Sequence, residues 1–89
     1  MDFATFRAEA LADGYDEVLE RSWPADAVLD EHTYPFALKL RVAAGEMWVT
    51  VSQDTRHLRP GDEFALDREV PHAERYGHRG ATYWVARRA

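Results

Sequence analysis

Two histidines, one glutamate and one tyrosine have the types and spacing that could support metal chemistry in this 89-residue sequence. They are His32, His72, Glu74 and Tyr34. Neutral imidazoles bind divalent transition metals, and two imidazoles with one carboxylate form a ligand set typical of non-haem iron. The Tyr34 phenol is a weaker alternative or additional ligand, because it must first lose a proton with a pKa near ~10. These residues predict a site for one divalent transition metal, with iron, manganese, nickel and zinc as candidates.

The segment that begins at His32 alternates in a way that predicts which face of a strand lies inside. Side chains two residues apart in a strand share a face. The odd positions include Lys39 and Arg41, whereas the even positions are mostly apolar or aromatic. The even positions are His32, Tyr34, Phe36, Leu38, Leu40 and Val42. His32 and Tyr34 are therefore expected to point inward.

The same alternation applies to the segment that begins at His72. His72, Glu74 and Tyr76 share one face, opposite Ala73 and Arg75, so Glu74 points inward if His72 does. Apolar side chains on the inner faces are typical of a ligand pocket, although small barrels fill the same positions simply to pack. The predicted pocket residues are Phe36, Leu38, Leu40, Phe64 and Tyr76.

A metal-free cavity is the alternative to the metal site. In that case both histidines hydrogen-bond to Tyr34, Glu74 or water, because buried polar groups need partners. Glu74 has a further alternative, an ion pair with Arg75 or Arg79, which is typical of acids near a surface. The other two histidines of the sequence, His57 and His78, are expected to be solvated and to lie outside any site.

A short helix is the first element expected to support the site. The pattern predicts it over Phe3–Ala12, with Asp2 as the N-cap and Gly14 at its end. Its apolar stripe consists of Phe3, Phe6, Ala10 and Leu11. A helix of this length is marginal alone, so we expect it to cover one face of a sheet.

Strands are expected to supply the rest of the scaffold. After the helix the sequence consists of short β-branched, aromatic and aliphatic runs broken by turn signals, which is typical of an antiparallel sandwich or barrel. Glycines at 45, 77 and 80 are among those signals, which predicts separate strands on either side of them. The runs are 15–23, 27–30, 36–43, 47–52, 56–58, 63–66, 72–76 and 81–87.

Composition excludes several classes of function. A net charge of −5 opposes the neutralisation of phosphates, so nucleic acid is not an expected partner. The absence of Cys removes thiolate metal sites and disulfides. The first residues contain acids and no long apolar run, which predicts neither a signal peptide nor a membrane helix. We therefore expect a cytoplasmic protein with no membrane partner.

Two stretches around the candidate residues resemble the two motifs of the cupin superfamily. The first stretch runs from His32 to Gly45, and the second runs from the turn at Gly61 to His72. The resemblance implies an all-β fold, namely an antiparallel double-stranded β-helix of the jelly-roll type with one short N-terminal helix. It also implies that the site lies inside a barrel.

The resemblance further implies how the chain is divided and which ligands it lacks. Residues 1–14 correspond to a helix that packs on the barrel, and residues 15–89 correspond to the barrel. In cupins with a complete site, the metal takes two histidines and a glutamate from the first motif and one histidine from the second. Tyr34 stands at the second of those histidines and Leu38 at the glutamate, so the implied ligand set is incomplete.

Three functions are compatible with this resemblance. The first is a small-molecule-binding cupin, with or without a metal held through His32 and His72, and with no reaction assigned. The second is a metal-dependent enzyme, such as a dioxygenase or isomerase of a small organic or sugar-like substrate. The third is the sensory partner of a transcription regulator, with the DNA-reading element on a separate chain. Cupins commonly pair through their sheets, so a homodimer is also implied.

Overall fold

One helix and six strands, all paired antiparallel, make up the protein in a computed structural model that describes residues 1–89. The predicted all-β antiparallel fold with one short N-terminal helix is confirmed. The elements are α1 (Phe3–Ala12), β1 (Glu17–Trp23), β2 (Val28–His32), β3 (Ala37–Val51), β4 (Asp54–Leu58), β5 (Glu63–Leu66) and β6 (His72–Arg88).

Helix α1 covers the outer side of β6, away from the main core. Phe6 and Ala10 pack with Trp84 and Ala86 in a small second core. The prediction that Leu11 belongs to the buried stripe is wrong, since its side chain is 38% exposed. The reason is that Leu11 lies roughly 100° around the helix from Ala10, beyond the line that contacts the sheet. No helix in the protein has the length and apolar character needed to cross a membrane.

The two long strands, β3 and β6, run through one six-stranded sheet, which their bends divide into two parts that we call the first and second sheets. In the first sheet the order is β1, the C-terminal half of β6, the N-terminal half of β3, and β5. In the second sheet it is β2, the N-terminal half of β6, the C-terminal half of β3, and β4. The inner faces of these two sheets enclose the main core.

Glycines interrupt the long strands without ending them, so the prediction of separate strands at these positions is wrong. Strand β3 continues across Gly45, and strand β6 continues across Gly77 and Gly80. The pairing of β3 with β6 shifts register on both sides of Ala44 and Gly45. These glycines therefore mark bends and bulges within strands, which a sequence cannot distinguish from turns by composition.

The bends also change which alternate residues face inward. In β3 the buried residues are at even positions from Leu38 to Val42, and at odd positions at Met47 and Val49. Strand β6 changes in the same way after Tyr76. A shift of one residue moves the whole alternating set to the other face. The bends therefore keep apolar side chains inside along the full length of both strands.

At Gly45 and Gly80 the backbone has neighbouring backbone packed closely against it. Both have positive φ, at 74° and 70°. A Cβ atom on Gly45 would overlap the carbonyl oxygen of Gly80, and a Cβ atom on Gly80 would overlap the carbonyl oxygen of Trp23. Only glycine combines this conformation with so close an approach of backbone.

We predict that Gly45→Ala lowers the free energy of unfolding by about 3 kcal/mol or more, because positive φ and a backbone clash add. Gly61→Ala is the matched control, since Gly61 also has positive φ, at 94°, but a Cβ atom there would meet only the end of Arg41, at 3.8 Å. It should cost about 1–2 kcal/mol. Urea denaturation measures both values, and equal losses would contradict the close approach of the two strands.

Candidate metal centre

The pairing of β2 with β6 brings the two candidate histidines together. His32, the last residue of β2, lies opposite His72, the first residue of β6. Their ring centroids are 4.3 Å apart. Glu74 follows on the same face of β6, and both Glu74 and His72 are buried. One residue of β2 and two residues on the same face of β6 thus form a cluster of three.

Backbone carbonyls hold both imidazole rings. The Nδ1–H of His32 donates to the Asp30 carbonyl oxygen at 2.7 Å, and the Nδ1–H of His72 donates to the Val70 carbonyl oxygen at 3.0 Å. A carbonyl oxygen can only accept, so Nδ1 carries the proton in each ring. In the neutral rings, both Nε2 atoms are therefore left with a free lone pair, as a metal ligand requires.

Glu74 lies where those two nitrogens converge. Its Oε2 atom is 3.1 Å from Nε2 of His32 and 3.4 Å from Nε2 of His72. The ligand atoms of the three residues all lie within 4.8 Å of one another. The Tyr76 hydroxyl donates to the other carboxylate oxygen, Oε1, at 2.5 Å. This bond orients the carboxylate and leaves Oε2 facing the histidines.

Nε2 of His32 is a buried polar atom without a hydrogen-bond partner. It lies close to the Glu74 carboxylate but is not aligned to bond with it. Buried nitrogens without partners are costly, and lone pairs that face a carboxylate repel it unless a cation lies between them. Two imidazole nitrogens and one carboxylate oxygen are a suitable donor set for a divalent transition metal. The residues therefore fit the metal that the sequence predicts.

The ion-pair alternative for Glu74 is wrong. Glu74 contacts His32, His72 and Tyr76, and none of its ion pairs involves an arginine. Arg75 lies on the opposite face of β6, with its guanidinium 4.1 Å from the ring centroid of Trp48. Adjacent residues of a strand point to opposite sides, so Arg75 could not reach the carboxylate without a bulge between them.

Tyr34 lies beside the two histidines. Its ring centroid is 4.9 Å from that of His32 and 5.2 Å from that of His72, and the ring stacks on Phe36. Burial raises the pKa of the Tyr34 phenol, and the negative charge of Glu74 raises it further. The protonated phenol is a hydrogen-bond donor at the cavity wall, which makes it a poorer metal ligand than Glu74.

A cavity of about 90 Å³ adjoins the cluster, between the two sheets. Four of the predicted pocket residues line it, together with His72, Glu74 and Tyr34. The four are Phe36, Leu38, Leu40 and Phe64. Tyr76 does not line the cavity, because its ring stacks on Trp23 at 5.6 Å and its hydroxyl is bonded to Glu74. Its place is therefore behind the carboxylate.

Arg21 and Arg87 also line the cavity, and the sequence interpretation missed them. The signal was present in the alternation of their strands. Arg21 shares a face of β1 with Leu19 and Trp23, which pack on the main core, and Arg87 shares a face of β6 with Val85. Alternation applied only near the histidines could not find them.

The two remaining histidines lie outside the cluster. His78 is exposed, as expected. His57 is only partly solvated, because its ring stacks on Trp48 with centroids 4.4 Å apart and its Nε2 lies 3.3 Å from Glu46. This stack is on the outer face of the second sheet, away from the cavity.

Comparison with known proteins identifies the fold. No family model and no curated protein matches the sequence. The structure is similar to the DMSP lyase DddQ of Ruegeria pomeroyi, with a TM-score of 0.74 and 26% identity over 81% of this chain. It is also similar to a cupin superfamily protein of Desulfitobacterium hafniense, with a TM-score of 0.68 and 16% identity over 84% of this chain. The chain therefore has the fold of a small cupin domain.

An RmlC-like cupin of Shewanella frigidimarina supports the same assignment, with a TM-score of 0.69 and 21% identity over 81% of this chain. The cupin domain described here spans 37% of the length of the DMSP lyase, 81% of the Desulfitobacterium protein and 65% of the Shewanella protein. The predicted jelly-roll barrel is thus confirmed.

The structure shows that the position of the usual motif glutamate contributes no carboxylate to the cluster. Leu38, at the position of the usual glutamate, is 6% exposed and belongs to the main core. The carboxylate of the cluster comes instead from Glu74, two residues after the second-motif histidine.

We predict that Tyr76→Phe weakens the binding of Zn²⁺ by about tenfold, because groups that orient a metal ligand typically contribute 10–100-fold to affinity. Tyr15→Phe is the matched control. Tyr15 is a partly buried tyrosine that packs against the small second core, away from Glu74 and the cavity. Competitive titration with a chromophoric chelator measures both affinities. Equal effects of the two substitutions would show that Tyr76 does not orient Glu74.

Proposed function

We propose that this cupin binds one divalent transition metal and a small molecule in the adjoining cavity. The metal ligands are Nε2 of His32, Nε2 of His72 and the Oε2 atom of Glu74. The observation that carries the proposal is the unpartnered Nε2 atom of His32, which lies beside a buried carboxylate and a second unprotonated imidazole nitrogen.

A proton satisfies the two Nε2 lone pairs and the Glu74 carboxylate less completely than a metal ion does. Protonation at one Nε2 atom would give an imidazolium that pairs with Glu74. It would leave the other histidine with its lone pair still facing the carboxylate oxygen. A divalent cation accepts electron pairs from all three atoms at once, and it offsets the charge of the buried Glu74 carboxylate.

The donor set favours the metals expected from the sequence. Imidazole suits iron, nickel and zinc, carboxylate suits manganese, and the chain offers no thiolate to select a softer ion. Three protein ligands are fewer than these metals accept, so positions remain for solvent or a bound molecule. Because Glu74 and His72 line the cavity, those positions are accessible from the side where a small molecule would bind.

A metal-dependent enzyme acting on a small organic molecule is the second candidate, favoured by this open ligand set. A metal bound there would supply Lewis-acid or oxygen-activating chemistry. The chain itself would do three things. Tyr76 keeps the Glu74 carboxylate oriented, Tyr34 donates a hydrogen bond to the bound molecule, and the apolar wall that includes Phe36 excludes water.

We predict that the untagged protein, purified and reconstituted, holds one equivalent of iron, manganese, nickel or zinc by elemental analysis. Metal at 100 times its dissociation constant should add about 2.7 kcal/mol to the free energy of unfolding, since it binds only the folded protein. Removal with a chelator should reverse that gain in a thermal denaturation experiment.

Substitutions test the three ligands. His72→Ala should abolish stoichiometric binding, and Glu74→Gln should weaken it, because an amide oxygen carries no charge but can still accept from Tyr76. His57→Ala is the matched control, since His57 contacts a carboxylate on the outer face and should leave metal content unchanged. Circular dichroism shows whether each variant is folded. Substoichiometric metal in the wild type after reconstitution, or full metal content in both site variants, would overturn the proposal.

A further inference from the structure

The two arginines that line the cavity lie across it from the metal cluster. His32, His72 and Glu74 belong to the second sheet, whereas Arg21 on β1 and Arg87 on β6 belong to the first. Both arginines are on the inner faces of their strands, because their alternate neighbours pack on the main core. Arg21 is exposed to solvent and Arg87 is partly exposed, so both guanidinium groups line the cavity where it opens to solvent rather than in the core.

Arg87 has a partner within the chain. It lies opposite Glu17 in the pairing of β1 with β6, and the two side chains form an ion pair. Its guanidinium also lies 4.9 Å from the ring centroid of Phe36. Because Glu17 offsets its charge, Arg87 contributes little net charge to the cavity.

Arg21 has no such partner. It takes part in none of the ion pairs of the protein, and the nearest aromatic face, that of Trp23, is 6.0 Å from its guanidinium carbon. With a divalent metal in the proposed site, Glu74 offsets only one of the two charges of the metal. One positive charge then remains at the metal and one at Arg21, on opposite walls of a small cavity.

The remaining wall of the cavity is mostly apolar. Most of its lining side chains are hydrophobic, and the volume of about 90 Å³ accommodates only a few carbon atoms beside the metal. A guanidinium presents paired N–H donors whose spacing matches the two oxygens of a carboxylate. An inorganic anion would satisfy the charges but would leave the apolar wall in contact with water. An organic acid satisfies both.

We infer that the ligand of this cavity is a small organic carboxylate, whose carboxylate group is held by Arg21 and whose carbon chain lies against the apolar wall beside the metal. The inference rests on the proposed metal-binding function. Arg21 is then a specificity-determining residue, because it distinguishes an acid from the uncharged amide of the same shape.

The experiment compares propionate with propionamide on the Zn²⁺-loaded protein, by isothermal titration in chloride-free buffer. Propionate should bind at least about tenfold more tightly than propionamide, which is the usual contribution of a hydrogen bond to a charged group. Arg21→Gln should remove that preference with zinc content unchanged, and Arg21→Lys should retain part of it. Arg7→Gln is the matched control, because Arg7 is exposed on α1 and should leave the preference intact.

The outcomes distinguish a failure of the proposed metal-binding function from a failure of the carboxylate inference. If the wild type retains none of iron, manganese, nickel and zinc, the proposed function is wrong and this inference is wrong with it. If zinc is retained but propionamide binds as tightly as propionate, or if Arg21→Gln keeps the preference, only the inference is wrong. Tighter binding of inorganic phosphate than of propionate, dependent on Arg21, would also overturn it, because the ligand would then be an inorganic anion.

Discussion

Strands β3 and β6 can serve two sheets only because their backbones approach closely at Gly45 and Gly80. At this point each strand bends and changes which alternate residues face inward. Without that change, one half of β6 would expose its apolar side chains if the other half buried them. The placement of the candidate ligand His72 and that of Arg87 depend on the same bends, since these two residues lie at opposite ends of β6 and at positions of opposite parity. Both nevertheless line the same cavity.

The sequence predicts the part of the site that lies within regular strand. Alternation places Glu74 on the face of His72, and the structure has both buried. Alternation fails across glycines. Positive φ is needed both at a turn and at a bulge, and composition does not distinguish the two. For that reason the sequence does not predict that the runs on either side of Gly45, and those on either side of Gly80, form single long strands. Arg21 was missed for a different reason, since it lies on β1, a strand that contains no histidine, and alternation was applied only near the histidines.

The role of Tyr76 shows a further limit of such interpretation. Alternation correctly indicates that it points inward, but it cannot say which inward-facing residues line a cavity and which lie behind them. Tyr76 is 1% exposed, and its hydroxyl is used on Glu74. Burial raises the pKa of this phenol, and the Glu74 charge raises it further, so it stays a donor to the carboxylate. That contact depends on side-chain geometry, which the alternation of residues along a strand does not determine.

The proposed metal would also act on the scaffold. Strand β2 has only three residue pairs with β6, and a register irregularity lies between Leu29 and His32. A metal held by His32 on one strand and by His72 and Glu74 on the other would cross-link the strands at the end where pairing is weakest. In a domain this small, where a single core buries a limited area, such a link couples occupancy of the site to the order of β2. Because Tyr34, two residues beyond the end of β2, lines the cavity, metal binding would then also be coupled to the shape of the ligand site.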